Sequence, residues 1–301
     1  MKLKWKGILL WSNQFYGICA ALLAVDAGMS ILHRPPSPLT LFLVYLTTII
    51  FYTHAYLQEA NGGIYGERTK WYQENNFYLN VRQVVFSIAC LYLIFIHFNG
   101  WNLFWTAPIA TKIIVVLAFF ISAVYYIPYQ FLSVTVSFRK LGLLKSISIA
   151  WVWSITCCFV PLWLDENKLF SIHLNSLNFW AYFFQLFIFI LILAILFDIK
   201  DLYRDKEEAV HTIIVKHGIE KTVRIYIIPL LIIYGLFSLF LFFYVHYTIA
   251  YCIIHLFLIL LTYWVSIQVS KVKSIHNNIL LIDGLMYLKA ILSILYMSSI
   301  H

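Results

Sequence analysis

The chain has 301 residues, 62% of them hydrophobic and only 11% charged, with a mean hydropathy of +0.85 and a formal net charge of +8. Soluble domains are about 45–50% apolar and about 25% charged. A water-soluble enzyme is therefore excluded, and so are disordered, collagen-like and disulfide-scaffold chains. What remains is an all-α polytopic membrane protein, with 1–301 forming a single membrane domain. A bilayer-crossing helix takes about 20 residues, so nine of them leave no room for a soluble domain. Stretches such as Thr111 to Tyr126 and Phe183 to Phe197 are apolar on every face. That argues for helices over the alternating pattern of a membrane barrel.

In chain order, Met1 to Leu10 carries three lysines and then an apolar run, as a signal peptide would. Ser12, Asn13 and Gln14 interrupt the run and further spans follow, so the expectation is an uncleaved first helix. Nine spans are expected, at roughly 8–32, 39–58, 78–98, 108–131, 146–164, 177–198, 223–245, 247–269 and 279–298. Breaks such as Arg34-Pro35-Pro36-Ser37-Pro38, Asn61-Gly62-Gly63 and Asn99-Gly100 carry turn chemistry. With the N-terminus in the cytoplasm, 17 basic residues fall on that side. Three (Arg34, Lys112 and Lys168) fall on the other, and Lys289 lies within the last span. The positive-inside rule selects this orientation, with the C-terminus opposite, in a bacterial-type cytoplasmic membrane. It also explains the net charge without nucleic acid, for which there is no basic-aromatic face. The five cysteines lie in apolar segments with no C-x-x-C pair, so neither a zinc site nor a disulfide framework is indicated. Membrane lipids are the expected surroundings, and nothing in the sequence sets an oligomeric state.

Two cytoplasmic loops, 59–77 and 199–222, stand out for length and polarity. The second begins with Asp198, Asp201 and Asp205, whose spacings of three and four put three carboxylates on one helical face. A bridging divalent cation makes such a face tolerable, and hard oxygen ligands suit Mg²⁺, which recruits substrate phosphates. The same spacing also describes a solvated helix end balanced by Lys200, Arg204 and Lys206.

The run from Asp198 to Gly218 resembles the second aspartate-rich motif of the UbiA-type intramembrane prenyltransferases. That pattern is D-x-x-D-x-x-x-D, then a small residue, Thr or Ser, an apolar pair, Val and Gly. Asp198, Asp201, Asp205, Thr212, Val215 and Gly218 match it, and Ala209 stands where glycine is usual. The resemblance implies a nine-helix UbiA-like bundle. It implies binding of a polyprenyl diphosphate through Mg²⁺ held by the three aspartates, and prenyl transfer to a lipophilic, aromatic acceptor. The family's first motif, N-D-x-x-D-x-x-x-D at the end of helix two, is missing: no aspartate lies between Ala27 and Trp163. His54, Gln58 and Asn61 recur there at helical spacing instead. They form either a remodelled substrate site or ordinary interhelical hydrogen bonds. Glu67-Arg68-Thr69 resembles the arginine loop after the first motif. Arg139, Lys140 and Lys145, preceded by Tyr125, Tyr126 and Tyr129, resemble the family's basic segment after helix four. Each of these cations is explained equally by the positive-inside rule. Asn13 lies at a depth similar to the acidic cluster, and so does Asp283. Asp26 lies nearer the other face and is expected to make a structural hydrogen bond. Besides prenyl transfer, two readings stay open: a non-catalytic bundle binding an isoprenoid lipid or partner, and a transporter, which lacks support from paired interrupted helices.

Overall fold

The computed structural model describes residues 10–61, 67–126, 142–165, 173–200, 202, 212–269 and 275–300; of residues 59, 61, 123–126, 142, 200 and 275–279 it describes the backbone only. Asp201, Asp205 and Arg139 lie outside the described residues, as does the side chain of Asn61. Helices account for every regular element among the described residues. They are α1 (Gln14–Leu32), α2 (Pro38–Asn61), α3 (Glu67–Glu74), α4 (Asn76–Tyr92, continued by a wide turn Leu93–His97), α5 (Gly100–Thr106) and α6 (Ile109–Tyr126). Then come α7 (Gly142–Ser154, a wide turn Ile155–Phe159, then Val160–Asp165), α8 (Leu177–Lys200) and α9 (Ile213–His217). The last three are α10 (Ile219–Val245), α11 (Ile249–Val269) and α12 (Ile275–Ile300).

Among the described residues, eight helices are long and apolar enough to cross a membrane: α1, α2, α4, α7, α8, α10, α11 and α12. The expected fourth span is described only in part. Its counterpart α6 has a described apolar part, Ile109–Ser122, short of that length; 123–126 are described as backbone only, and 127–131 lie outside the described residues. The short helices α3 and α5 fall where the sequence led us to expect loops. Both are too short and too polar or mixed to show as apolar runs.

α8 and α1 are the most enclosed of these helices, with 78% and 67% of their apolar windows buried against 22% in α4. α1 packs against α2, α12 and the wide turn of α7, while α8 packs against α7, α10 and α12. Large apolar side chains such as Ile88, Phe119, Leu236 and Ile253 are exposed. Such a girdle would be costly in water and fits an integral, multi-pass membrane protein. Two of the wide turns end just before a proline, Pro161 in α7 and Pro229 in α10. Proline cannot donate to the carbonyl four residues back and its ring crowds that carbonyl, so the helix widens there.

Candidate functional site

The apolar run of α8 ends at Phe197, and Asp198 follows in the last turn. Its side chain is nearly fully buried because α7 packs alongside. The first turn of α7 supplies Lys145, whose Nζ lies 2.6 Å from Asp198 Oδ1. Ser146 donates its hydroxyl to Oδ2 at 3.3 Å. The first carboxylate of the acidic cluster thus faces into the bundle, with an ammonium on one oxygen and a hydroxyl on the other. Farther along the same motif, Thr212 caps α9 by accepting from the Val215 amide at 3.3 Å. Gly218 ends that helix at φ 75, a backbone shape that disfavours other residues. The matched threonine and glycine therefore have local structural work to do.

A second polar cluster lies where α1, α2, α3 and α4 meet. Asn13 precedes α1 with φ 65 and is fully buried. Its amide nitrogen donates to Thr53 Oγ1 (3.1 Å) and to the Tyr72 hydroxyl (2.8 Å), and its oxygen accepts from Arg68 at 2.5 Å. Tyr72 in turn donates to the Trp11 carbonyl at 2.8 Å. Burial pushes the Tyr72 phenol above its ordinary value, which keeps it a neutral donor. Arg68 stacks on Tyr56, 3.4 Å from the ring centre. Arg82 donates to Thr53 Oγ1 (2.9 Å) and to the Ser12 carbonyl (3.1 Å).

The structure brings Asn13 and Arg68 together and adds Thr53, Tyr72 and Arg82, which the sequence reading had not assigned to a site. Arg82 carried a usable signal: a charge placed inside a span is a functional candidate by default. His54 and Gln58 take the exposed side of α2 and hydrogen-bond each other at 3.3 Å, while Thr53, Leu57 and Ala60 form its buried side.

Tyr16 stands between the two clusters. It stacks on Tyr52 at 4.6 Å and approaches Phe197, the neighbour of Asp198, at 6.4 Å. Trp153 donates its indole N–H to the Tyr52 hydroxyl at 2.8 Å. Beside this wall a cavity of about 320 Å³ lies between α2, α6 and α7. Its lining includes Thr48, Tyr52, Ser122, Ser148, Trp153 and Thr156. The hydroxyls of Thr47, Thr48, Ser122 and Ser148 are bonded to carbonyls of their own helices at 2.7–2.9 Å. They therefore turn carbon toward the cavity, which is apolar in spite of its composition. Lys145, Ser148 and Val152 share one face of α7, so the cavity begins one helical turn from the Lys145–Asp198 pair.

A third cluster lies deeper. Asp26 and Lys289 are both fully buried and pair at 2.5 Å. Lys289 also donates to the Tyr182 hydroxyl at 3.2 Å, and Ser30 to the other Asp26 oxygen at 3.5 Å. Gln185, Ser238 and Tyr251 continue the polar seam, and Tyr234 bonds His255 at 2.6 Å. The expectation of a simple hydrogen bond at Asp26 is corrected to an ion pair, and Lys289 has its partner on α1. Asp283 is buried against α1, its carbonyl 3.8 Å from Cys19 Sγ.

Among the described residues no group of three or more His, Cys, Asp or Glu is placed to hold a metal ion. Asp198 offers oxygens of the hard kind that Mg²⁺ takes. As one carboxylate with an ammonium already on Oδ1 it fits as a single ligand, and the other members of the acidic cluster, Asp201 and Asp205, lie outside the described residues. No protein-family model, curated protein or solved structure matches this chain.

Proposed function

We propose that the protein is a UbiA-like intramembrane prenyltransferase with nine transmembrane helices, α6 supplying the ninth. It would move a prenyl group from a polyprenyl diphosphate to a lipophilic, aromatic acceptor with Mg²⁺ assistance, in a bacterial-type cytoplasmic membrane with the N-terminus inside. The observation that carries this reading is Asp198, a buried carboxylate at the end of α8 paired with Lys145 one helical turn from an apolar cavity. Asp198, with Asp201 and Asp205 at helical spacing, would hold Mg²⁺, which when bound neutralises charge on departing diphosphate. Lys145 is positioned to pass its ammonium from the carboxylate to a diphosphate oxygen, keeping leaving-group charge covered. The cavity would take the prenyl chain and, having committed hydroxyls, keep water from the allylic carbon. Asn13, His54, Gln58, Asn61, Arg68 and Arg139 complete the proposed substrate-binding set.

One observation favours a second reading, a non-catalytic bundle that binds an isoprenoid lipid. Lys145 already balances Asp198, and the end of α2 carries His54 and Gln58 where carboxylates would stand. The test is diphosphate release from a labelled prenyl diphosphate by nanodisc-embedded protein with Mg²⁺ and a panel of aromatic acceptors. Asp198→Asn is expected to cut release at least about 100-fold. Release unaffected by that change would overturn the prenyltransferase reading, and binding with no release would establish the non-catalytic one.

A further inference from the structure

Two guanidinium groups enter the bundle with no ion-paired carboxylate among the described residues. Arg82, in the second turn of α4, is only 6% exposed. One nitrogen is used on Thr53 and Ser12, while Nε and Nη1 are buried with no hydrogen-bond partner. Arg68 has one nitrogen on Asn13 and on the Trp11 carbonyl, and its Nε is likewise buried and unpartnered. The two arginines are joined through a single pair of side chains, since Asn13 donates to the same Thr53 hydroxyl that accepts from Arg82. The ion pairs among the described residues, Lys145–Asp198 and Lys289–Asp26, involve neither arginine.

Every acceptor these arginines have is neutral: a carbonyl, a hydroxyl or an amide oxygen. Arg82 is buried and Arg68 half-buried; a cation withdrawn from water with no counter-charge is unfavourable, and two near each other repel. What remains unused is a set of N–H donors held in planar forks, the geometry that matches phosphate oxygens. The neutral hub makes the arrangement selective, because Asn13 holds Arg68 in place without neutralising it. We propose that Arg68 and Arg82 form an anion site that grips a phosphate group directly, without a divalent cation. The group is carried either by a free phosphate compound or by a lipid headgroup. This inference shares Arg68 and Asn13 with the proposed substrate-binding set but not its metal-dependent residue, Asp198, so it stands or falls separately from prenyl transfer.

The test uses the full-length protein in phosphatidylcholine nanodiscs with EDTA throughout. One arm titrates inorganic pyrophosphate; the other incorporates phosphatidic acid into the nanodisc. The melting temperature is read in each. A rise in either arm supports the site, and the arm that responds identifies the source of the phosphate. Arg68→Gln and Arg82→Gln are expected to weaken binding at least tenfold and to remove the rise. Asn13→Asp keeps the left-handed backbone within reach and supplies a carboxylate of the same shape. It is expected to raise the melting temperature of ligand-free protein and to abolish any further rise. A merely structural role for the arginines predicts neither effect, and this variant carries the test if Arg82→Gln does not fold. Asp198→Asn is expected to leave metal-free binding intact, which separates this metal-free grip from the Mg²⁺-dependent step proposed at Asp198. The proposal is overturned if neither arm shifts the wild type, if the shift survives in both arginine variants, or if Asn13→Asp still responds to pyrophosphate.

Discussion

Asp26 and Lys289 are the clearest case of a residue whose meaning depends on something far away in the chain. They are 263 residues apart, both fully buried, and joined in an ion pair that also engages Tyr182 and Ser30. Removing one member leaves a lone charge in an apolar interior, which costs about 3–5 kcal/mol, whereas replacing both with apolar residues is often close to neutral. Lys289→Met alone should therefore lower stability by about that amount, and Asp26→Leu with Lys289→Met should recover most of it. Unfolding of the single and double variants in detergent measures both, and equal losses in the two would refute the pairing. Sequence alone exposed each residue as an oddity in its span. It could not pair them, because helical spacing relates only near neighbours and the closest basic or acidic candidates to each were not the partners chosen. Asn13 and Arg68 were each legible as candidates, Asn13 by its depth and Arg68 by its place in a basic loop, but the hub they form depends on Thr53 and Tyr72, which look ordinary in sequence.

At the scale of elements, the contact between α1 and α2 turns on Gly17. A Cβ there would stand 2.7 Å from the Tyr45 ring and 3.0 Å from Ile49, so any side chain at this position must displace both of them. The same interface carries a hydrogen bond from Tyr45 to Gln14, one turn toward Asn13. Gly17→Leu should prise the helices apart at a cost of about 1–3 kcal/mol, read as a lower melting temperature. An unchanged value would mean that α2 can shift without loss. Element limits were largely legible, since apolar runs flanked by turn residues set eight of the long helices. The exceptions have physical reasons. α3 and α5 are shorter than the window in which periodicity can be judged. The widened turns before Pro161 and Pro229 follow from proline's missing donor, a local rule the sequence states openly.

For the molecule as a whole, the cavity between α2, α6 and α7 adjoins the Lys145–Asp198 pair, joining charged and apolar chemistry within one turn of α7. No single segment announces such a hollow; it arises where α6 packs on α7 but leaves α2 at a distance. Filling it tests whether it holds the substrate chain. Ser148→Phe should reduce turnover of long prenyl diphosphates at least tenfold while sparing short ones, measured as a ratio of rates across chain lengths. Equal losses for all lengths would show that the cavity is not the chain site. The partnership of the first and last spans has one more consequence, for biosynthesis. An ionisable group near the middle of a helix opposes membrane insertion by about 2.5–3.5 kcal/mol. Asp26 leaves the ribosome long before Lys289 exists. The nascent first helix must therefore wait in the translocation machinery or the lipid with its carboxyl unanswered. The bundle can close around its interior only when the final helix arrives.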